Sequence, residues 1–275
     1  MYRFVFETGF KHQHSRSESI HARRRPWQPA GLLPLLLPLL ALAQGGPPMI
    51  TDDPDTPGDG NWEINLSTSA IRLGVQRLRN PAHVDANYGY GERLQLKVEG
   101  GVADIGGPAG QHAGVDDLLV GTKWRFIDPG EQAWHVSTYP QLRLQASARA
   151  VRDGEAAPAP ALFLPLEASL NLGACTLVTD AGYQTQRTGG NQWLAGVLGG
   201  WRLDRELELM AEARYTRDVA RGGHDLLLNL GLRRRLGEHL QLLLAAGSAL
   251  ATGIDPTRYQ VYLGVQVGVE GLAPR

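Results

Sequence analysis

Three sets of residues in this sequence carry groups that could do chemistry. Asp53-Pro54-Asp55-Thr56-Pro57-Gly58 imitates the opening of a calcium loop, in which oxygens at alternate positions converge on one cation. Its third acidic ligand is missing, and the twelfth position holds Ile64 in place of a bidentate Glu, so a solvated turn is expected and no metal is assigned. His135 and Ser137 stand two residues apart, which puts them on one face of a strand and supplies the first two members of an acyl-transfer site. The orienting third group and the oxyanion hole are not visible, so no catalytic residue is assigned. There is no phosphate-binding glycine loop and no His-Glu-x-x-His pair, and no cofactor is expected. The third set is larger. Glu63, Asp85, Lys97, Glu99, Lys123, Arg125, His135, Arg143, Glu167, Asp180, Arg202, Glu208, Glu212, Arg214, Asp225, Arg233 and Arg235 recur at alternate positions between apolar neighbours. Both signs are present in similar number, the composition of a salt-bridged interior or of a weakly selective water path.

The elements that position these charges are strands. From Trp62 onward, period-2 alternation recurs to Val269: Trp62, Ile64 and Leu66 oppose Glu63, Asn65 and Ser67, and Tyr259, Val261, Leu263, Val265, Val267 and Val269 oppose Gln260, Tyr262, Gly264 and Gln266. An apolar face opposite a polar one is the mark of a half-buried strand. Such segments are expected at 62–73, 84–90, 94–105, 118–126, 134–143, 162–171, 174–185, 193–201, 206–215, 225–235, 240–248 and 259–269. Helical alternatives stay open at Glu206 to Tyr215 and Leu240 to Leu250, because Leu, Glu and Ala favour helix. After Ala43 no apolar run reaches transmembrane-helix length, so the pattern is that of a membrane barrel, whose strands of about 10 residues alternate lipid-facing and lumen-facing side chains. The fold expected is all-β: an antiparallel transmembrane up-and-down β-barrel of about 12 strands over residues 61–270. Trp62, Trp124, Phe126, Trp134, Trp193, Trp201 and Tyr259 fall on the outward face near strand ends, as headgroup-level girdles do.

The connections alternate in length. Short ones are expected at Gly91-Glu92-Arg93, 127–131, Asp204-Arg205 and Gly237-Glu238-His239, and longer ones at 74–83, 106–113, 146–160, 186–190, 217–223 and 250–257. Barrels put tight turns on the periplasmic side and long loops outside, so both ends of the barrel are expected in the periplasm. Three tight turns lead into like starts, Arg93-Leu94-Gln95-Leu96, Glu206-Leu207-Glu208-Leu209 and His239-Leu240-Gln241-Leu242, a repeat that points to hairpin duplication.

Upstream, residues 23–43 have the three parts of an export signal: Arg23-Arg24-Arg25, an apolar run from Gly31 to Ala43, and the small-x-small site Ala41-Leu42-Ala43. The run is too short to span a bilayer and contains Pro34 and Pro38, so a cleavable signal peptide is expected. Residues 1–22 read as an N-terminal extension outside the mature chain, 44–60 as a periplasmic lead rich in Pro, Asp and Gly, and 271–275 as a C-terminal tail. With 275 residues and a net charge of −1, the chain has no basic stripe to neutralise phosphates, and no nucleic-acid partner is expected. The single Cys175, beside Leu177 and Val178, reads as a small buried residue.

The lead, Pro47-Pro48, Thr51-Asp52-Asp53-Pro54, Pro57 and then Trp62-Glu63, resembles the opening of a family of Gram-negative outer-membrane β-barrels assigned to transport in the meta-cleavage (MetA) pathway of phenol degradation. Asn87-Tyr88-Gly89, Arg93-Leu94-Gln95-Leu96, Gly121-x-Lys123-x-Arg125-Phe126, Tyr139-Pro140, Leu162-Phe163-Leu164-Pro165-Leu166 and Tyr262-Leu263-Gly264 are similar to later landmarks of that family, in the same order. The chain departs from the pattern at its end, where Gly271 to Arg275 follow the last strand in place of a terminal aromatic. The resemblance implies an outer-membrane channel or transporter for small, aromatic or hydrophobic solutes, with outer-membrane lipid and the barrel-assembly machinery as partners and no established catalytic residues. The alternatives are an outer-membrane lipase or deacylase built on His135 and Ser137, and a structural barrel with a plugged lumen.

Overall fold

The computed structural model describes residues 46–271 apart from 108–109, 117, 130–133, 145–159, 187–189, 221 and 251–256. The extension at 1–22, the signal segment at 23–43, the tail from 272 and the longest expected loop lie outside the described residues.

The described residues form fourteen strands: β1 Trp62–Leu73, β2 Gln76–Tyr90, β3 Leu94–Gly107, β4 Gly110–Val115, β5 Leu118–Ile127, β6 Trp134–Thr138, β7 Gln141–Leu144, β8 Ala161–Leu172, β9 Cys175–Gln186, β10 Gln192–Arg202, β11 Leu207–Asp218, β12 His224–Arg235, β13 Leu240–Ala249 and β14 Thr257–Val269. They make one antiparallel sheet that closes where β1 meets β14, in the register Trp62↔Val269, Leu66↔Val265 and Ala70↔Val261. Two staves of the barrel are interrupted. Along β3, residues Leu94–Glu99 pair with β5 and Val102–Gly107 with β4; β6 and β7 share the space between β5 and β8 in the same way. The barrel therefore has twelve staves. Closure matters because lipid offers no partner to an unpaired N–H or C=O at a sheet edge.

The alternation sorts the side chains inside out relative to a water-soluble protein. Leu230 is 69% exposed on the outward face of β12, whereas Lys123 and Glu167, on the inward faces of β5 and β8, are 2% and 1% exposed. Outward aromatics collect in two belts. Trp62, Tyr88, Trp124, Trp134 and Trp201 lie toward the end where the N-terminal lead enters; Trp193, Tyr215 and Tyr259 lie toward the other. Trp62 packs on Tyr88 with ring centroids 4.8 Å apart.

Both segments left open as helix are strands, β11 and β13, because each has stave partners on both sides and a closed sheet overrides intrinsic propensity. The loop expected at 74–83 is mostly strand. Gly74, with φ of 50°, and Val75 make a tight turn, and β2 carries Pro81 through an irregularity where its registers with β1 and β3 both shift. A proline lacks the N–H a regular ladder needs, and the bulge accommodates it. β4 likewise occupies much of the loop expected at 106–113. Cys175 is exposed, not buried, at the start of β9 opposite Leu172 and Trp201.

If the outward face meets lipid, the cost of a charge there depends on depth. Leu263→Arg, midway along β14, is expected to cost about 2–4 kcal/mol and Val269→Arg, at the girdle, about 0–1 kcal/mol. Urea unfolding of the barrel refolded in phospholipid vesicles reads both; equal costs would mean the belt is not depth-graded.

Candidate functional site

The lumen holds the site, and the N-terminal lead is inside it. The sequence places residues 44–60 in the periplasm; the described part of that lead instead enters among the inward-facing side chains, turns, and leaves at the tight-turn end of the barrel. Its composition looks like that of a solvated turn, and the correction has a physical cause. Pro47, Pro48, Pro54 and Pro57 have no N–H to satisfy, and the stave side chains take up the polar backbone groups that remain. Glu212 Oε1 accepts from the Ile50 and Thr51 amides at 3.1 and 2.5 Å. The Arg233 guanidinium donates to the Pro47 carbonyl at 2.9 Å. Within the lead, the Gly46 amide donates to the Thr51 carbonyl at 3.0 Å and closes the turn.

Lys123 is the centre of the arrangement. Its ammonium donates to Asp52 Oδ1 at 3.0 Å, to the Asp53 carbonyl, and to the Asp55 carbonyl at 3.4 Å, while Glu167 lies 3.8 Å away. The same ammonium stands 4.7 Å from the ring centroid of Tyr139, the residue wedged at the break between β6 and β7, so the aromatic face adds to its stabilisation. Next along the lead, Asp55 Oδ1 meets Arg125 Nη1 at 3.3 Å and His135 Nδ1 at 3.4 Å. Burial pushes the Asp53 carboxyl well above the usual carboxylate range, with Asp55 and Asp52 repelling and Lys123 attracting. Burial acts on Asp52 in the same direction, but the Lys123 and Lys97 ammonium groups outweigh it and hold that carboxyl below its ordinary value.

An apolar seat completes the docking. Met49 packs with Val178, Leu198, Met210 and Ala245, inward-facing residues of β9, β10, β11 and β13. Two glycines make room: a Cβ on Gly196 would collide with Thr51 Oγ1, and one on Gly231 with Met49 Cε. At the barrel rim the lead is stitched down by Asp59 Oδ1 accepting from the Gly91 amide at 2.7 Å and by Gly60 and Asn61 pairing with Gly89.

Most of the other charged residues named from the sequence also lie inside, in further groups, whereas Arg202 and Arg235 line a hollow at the tight-turn end, where Arg235 is exposed. Lys97 bridges Asp85 at 3.2 Å and Glu99 at 2.8 Å, and Glu99 contacts His83 at 3.3 Å. Arg214 meets Asp180 at 2.5 Å. Arg233 meets Glu208 at 3.3 Å, and Glu212 accepts from Asn229 at 2.6 Å. Glu63 accepts from Asn65 at 3.2 Å. Arg143 shares with Lys97, Asp180 and Arg214 the wall of a cavity of about 310 Å³ on the long-loop side of the lead, floored by Pro47, Met49, Ile50 and Asp52. His135 and Ser137 are not brought to a shared substrate position. Ser137 is fully buried and donates to Glu167 at 2.6 Å, while His135 faces Asp55 and Asp128.

Sequence reasoning missed the apolar seat, since Val178, Leu198 and Met210 are inward positions where polar residues were expected. The one signal was that the strand at 240–248 is apolar on both faces. It also missed the neutral network of Gln95, Asn87 and Tyr139, in which Gln95 donates to Asn87 at 2.8 Å and to the Tyr139 hydroxyl at 3.1 Å.

No family model matches the chain, and no curated protein matches it. Among solved structures it is similar to the NanC porin, with a TM-score of 0.56 and 7% identity over 74% of this chain and 98% of that one. It is also similar to the KdgM porin, with a TM-score of 0.51 and 9% identity over 74% and 98%. At such identities the likeness is one of fold, that of a closed, all-β antiparallel barrel.

Removing the central cation tests what holds the lead. Breaking a buried ion pair costs about 3–5 kcal/mol, so Lys123→Met is expected to release it. In a Cys175→Ser background, a cysteine replacing the fully buried Thr51 should react with a maleimide at least about 100-fold faster once Lys123→Met is added. Unchanged reactivity would assign the hold to the Met49 seat and Glu212.

Proposed function

We propose that this chain is an outer-membrane channel for small solutes, closed in the state described by its own lead. The observation that carries this reading is the closed stave wall, apolar outside and charged inside, enclosing a 310 Å³ chamber whose floor is the N-terminal lead rather than the wall itself. Twelve staves lie between the filled interior of eight and the open channel of sixteen or more, so the lumen is narrow once cleared. The lead stands in for what such a lumen would otherwise contain, namely water hydrating Lys123, Arg125, Glu212 and Arg233. The protein belongs, on this reading, in the Gram-negative outer membrane, exported by its signal peptide and inserted by the barrel-assembly machinery, with lipid against its apolar belt. The resemblance to barrels of the phenol meta-cleavage type makes small aromatic or hydrophobic compounds the solutes to try first. The acyl-transfer alternative is not favoured, because Ser137 is spent on Glu167 under the lead.

Single-channel recording in planar bilayers tests the proposal. The refolded chain from Gln44 should open rarely, whereas a chain lacking residues 46–57 should give discrete and sustained steps. That deletion removes the carboxylates of Asp52, Asp53 and Asp55, so its reversal potential should shift toward anions. A deletion variant that shows the heat-modifiable mobility of a folded barrel and yet stays silent would overturn the channel reading.

A further inference from the structure

The outward face of the β1–β2 hairpin carries three arginines where the apolar belt ends. Arg72 on β1 is directly opposite Arg77 on β2, and Arg79 follows two residues along, opposite Ala70. The same face carries Leu66, Val84 and Tyr259, all outward and exposed, and Arg72 is also the cross-strand partner of Tyr259 on β14. Arg77 and Arg79 are exposed. Like charges directly opposite one another on a sheet are destabilising unless something neutralises them. Nothing in the described residues does. Among the described residues no ion pair joins any of the three to an acid: Arg72 Nε donates to the Gly74 carbonyl at 3.0 Å, and Asp104, the cross-strand partner of Arg79 on β3, accepts from Gln111 with both oxygens, at 2.9 and 2.8 Å.

Their depth is informative. Arg72 lies ten residues beyond Trp62 along β1, which is about 33 Å of strand and, at a tilt of about 40°, about 25 Å along the barrel axis. That equals the height of the apolar band of an outer-membrane barrel. With Trp62 in one aromatic girdle, Arg72 and Tyr259 fall at the opposite headgroup plane, on the long-loop side. Guanidinium groups pair bidentately with phosphate and hold it better than ammonium groups do.

We infer that Arg72, Arg77 and Arg79 form a binding site for the phosphate groups of a phosphorylated glycolipid in the outer leaflet. The bound phosphate bridges Arg72 and Arg77 and relieves their repulsion, while the acyl chains lie along the outward apolar faces of β1, β2 and β14. The inference rests on the outer-membrane placement proposed above, and is independent of whether the lumen conducts.

The test is thermal unfolding of the refolded full chain in phosphatidylcholine vesicles, with increasing diphosphoryl lipid A or with lipid A stripped of its phosphates. Diphosphoryl lipid A should raise the unfolding temperature and the stripped form should not. In R72Q/R77Q/R79Q the half-saturating lipid A should rise by about tenfold or more, and R72K/R77K/R79K, which keeps charge without the bidentate fork, should fall between. Heat-modifiable mobility in phosphatidylcholine alone confirms that each variant has folded. An equal response of the triple Gln variant, or of stripped lipid A, overturns the inference while leaving the membrane reading intact. A wild-type chain that fails to insert into vesicles at all overturns both.

Discussion

A buried ammonium group governs the interior of this barrel. Lys123 is out of reach of solvent, and an ionised amine in that position is tolerated only if its charge and its three protons are met. Glu167 supplies part of that need from the wall, and the lead supplies the remainder through the Asp52 carboxylate and the Asp53 and Asp55 carbonyls. Because the contacts run to backbone carbonyls as well as to a carboxylate, they fix the path of the lead and not merely its charge. The neighbouring pairs then follow in register: Asp55 reaches Arg125 and His135 toward the rim, and Thr51 reaches Glu212 at mid-height.

Barrel closure creates that situation. A sheet closed on itself has its inward positions set by parity, and twelve staves enclose more space than their own side chains fill. The space can hold water, or polar side chains in mutual contact, or a segment of chain. Here a chamber lies on the long-loop side, the lead at mid-height, and ion pairs such as Arg233 with Glu208 toward the tight turns. The two interrupted staves contribute to the same end. Tyr139, two residues beyond inward-facing Ser137, keeps the inward parity at the break and sets its ring beside Lys123 and Lys97.

The fold was legible because alternation is local. Trp62 to Leu66 or Tyr259 to Val269 can be read without knowing any partner, and the aromatics at the strand ends mark the belts. Where a local rule and a distant partner disagreed, the reading failed. The segment 74–83 was expected as a connection, and a bulge in the β1–β2 ladder lets it run as strand through Pro81. The lead read as solvated because proline, aspartate and glycine ordinarily are; its seat is made of Lys123, Glu212 and Arg233, which lie 71, 162 and 186 residues from the groups they hold. No pattern within the lead announces those partners. The inward charges were visible one at a time, but their pairing was not, since Lys97 with Asp85 and Arg214 with Asp180 depend on stave register. The arginine cluster at the rim was hidden in the same way: Arg72, Arg77 and Arg79 fall within eight residues, but their shared face is set only when the hairpin puts Arg72 opposite Arg77.

The strength of the lead's attachment can be bounded from the same physics. Most of its hydrogen bonds replace bonds to lumen water, so each contributes about 0.5–1.5 kcal/mol net. The Met49 side chain adds about 1.5–3 kcal/mol by burial. Against these stands the cost of ordering a dozen residues, at roughly 1–2 kcal/mol each, reduced here because four prolines already restrict the chain. These terms are of similar size, so docking need not be strong in itself. It is favoured by the rim attachment at Asp59 to Asn61, which keeps an undocked lead at the barrel mouth at an effective concentration of the order of mM. The stave ladder closes through β1 and β14 with no part of the lead in it, so the seat of the lead and the closure of the barrel are separate sets of bonds.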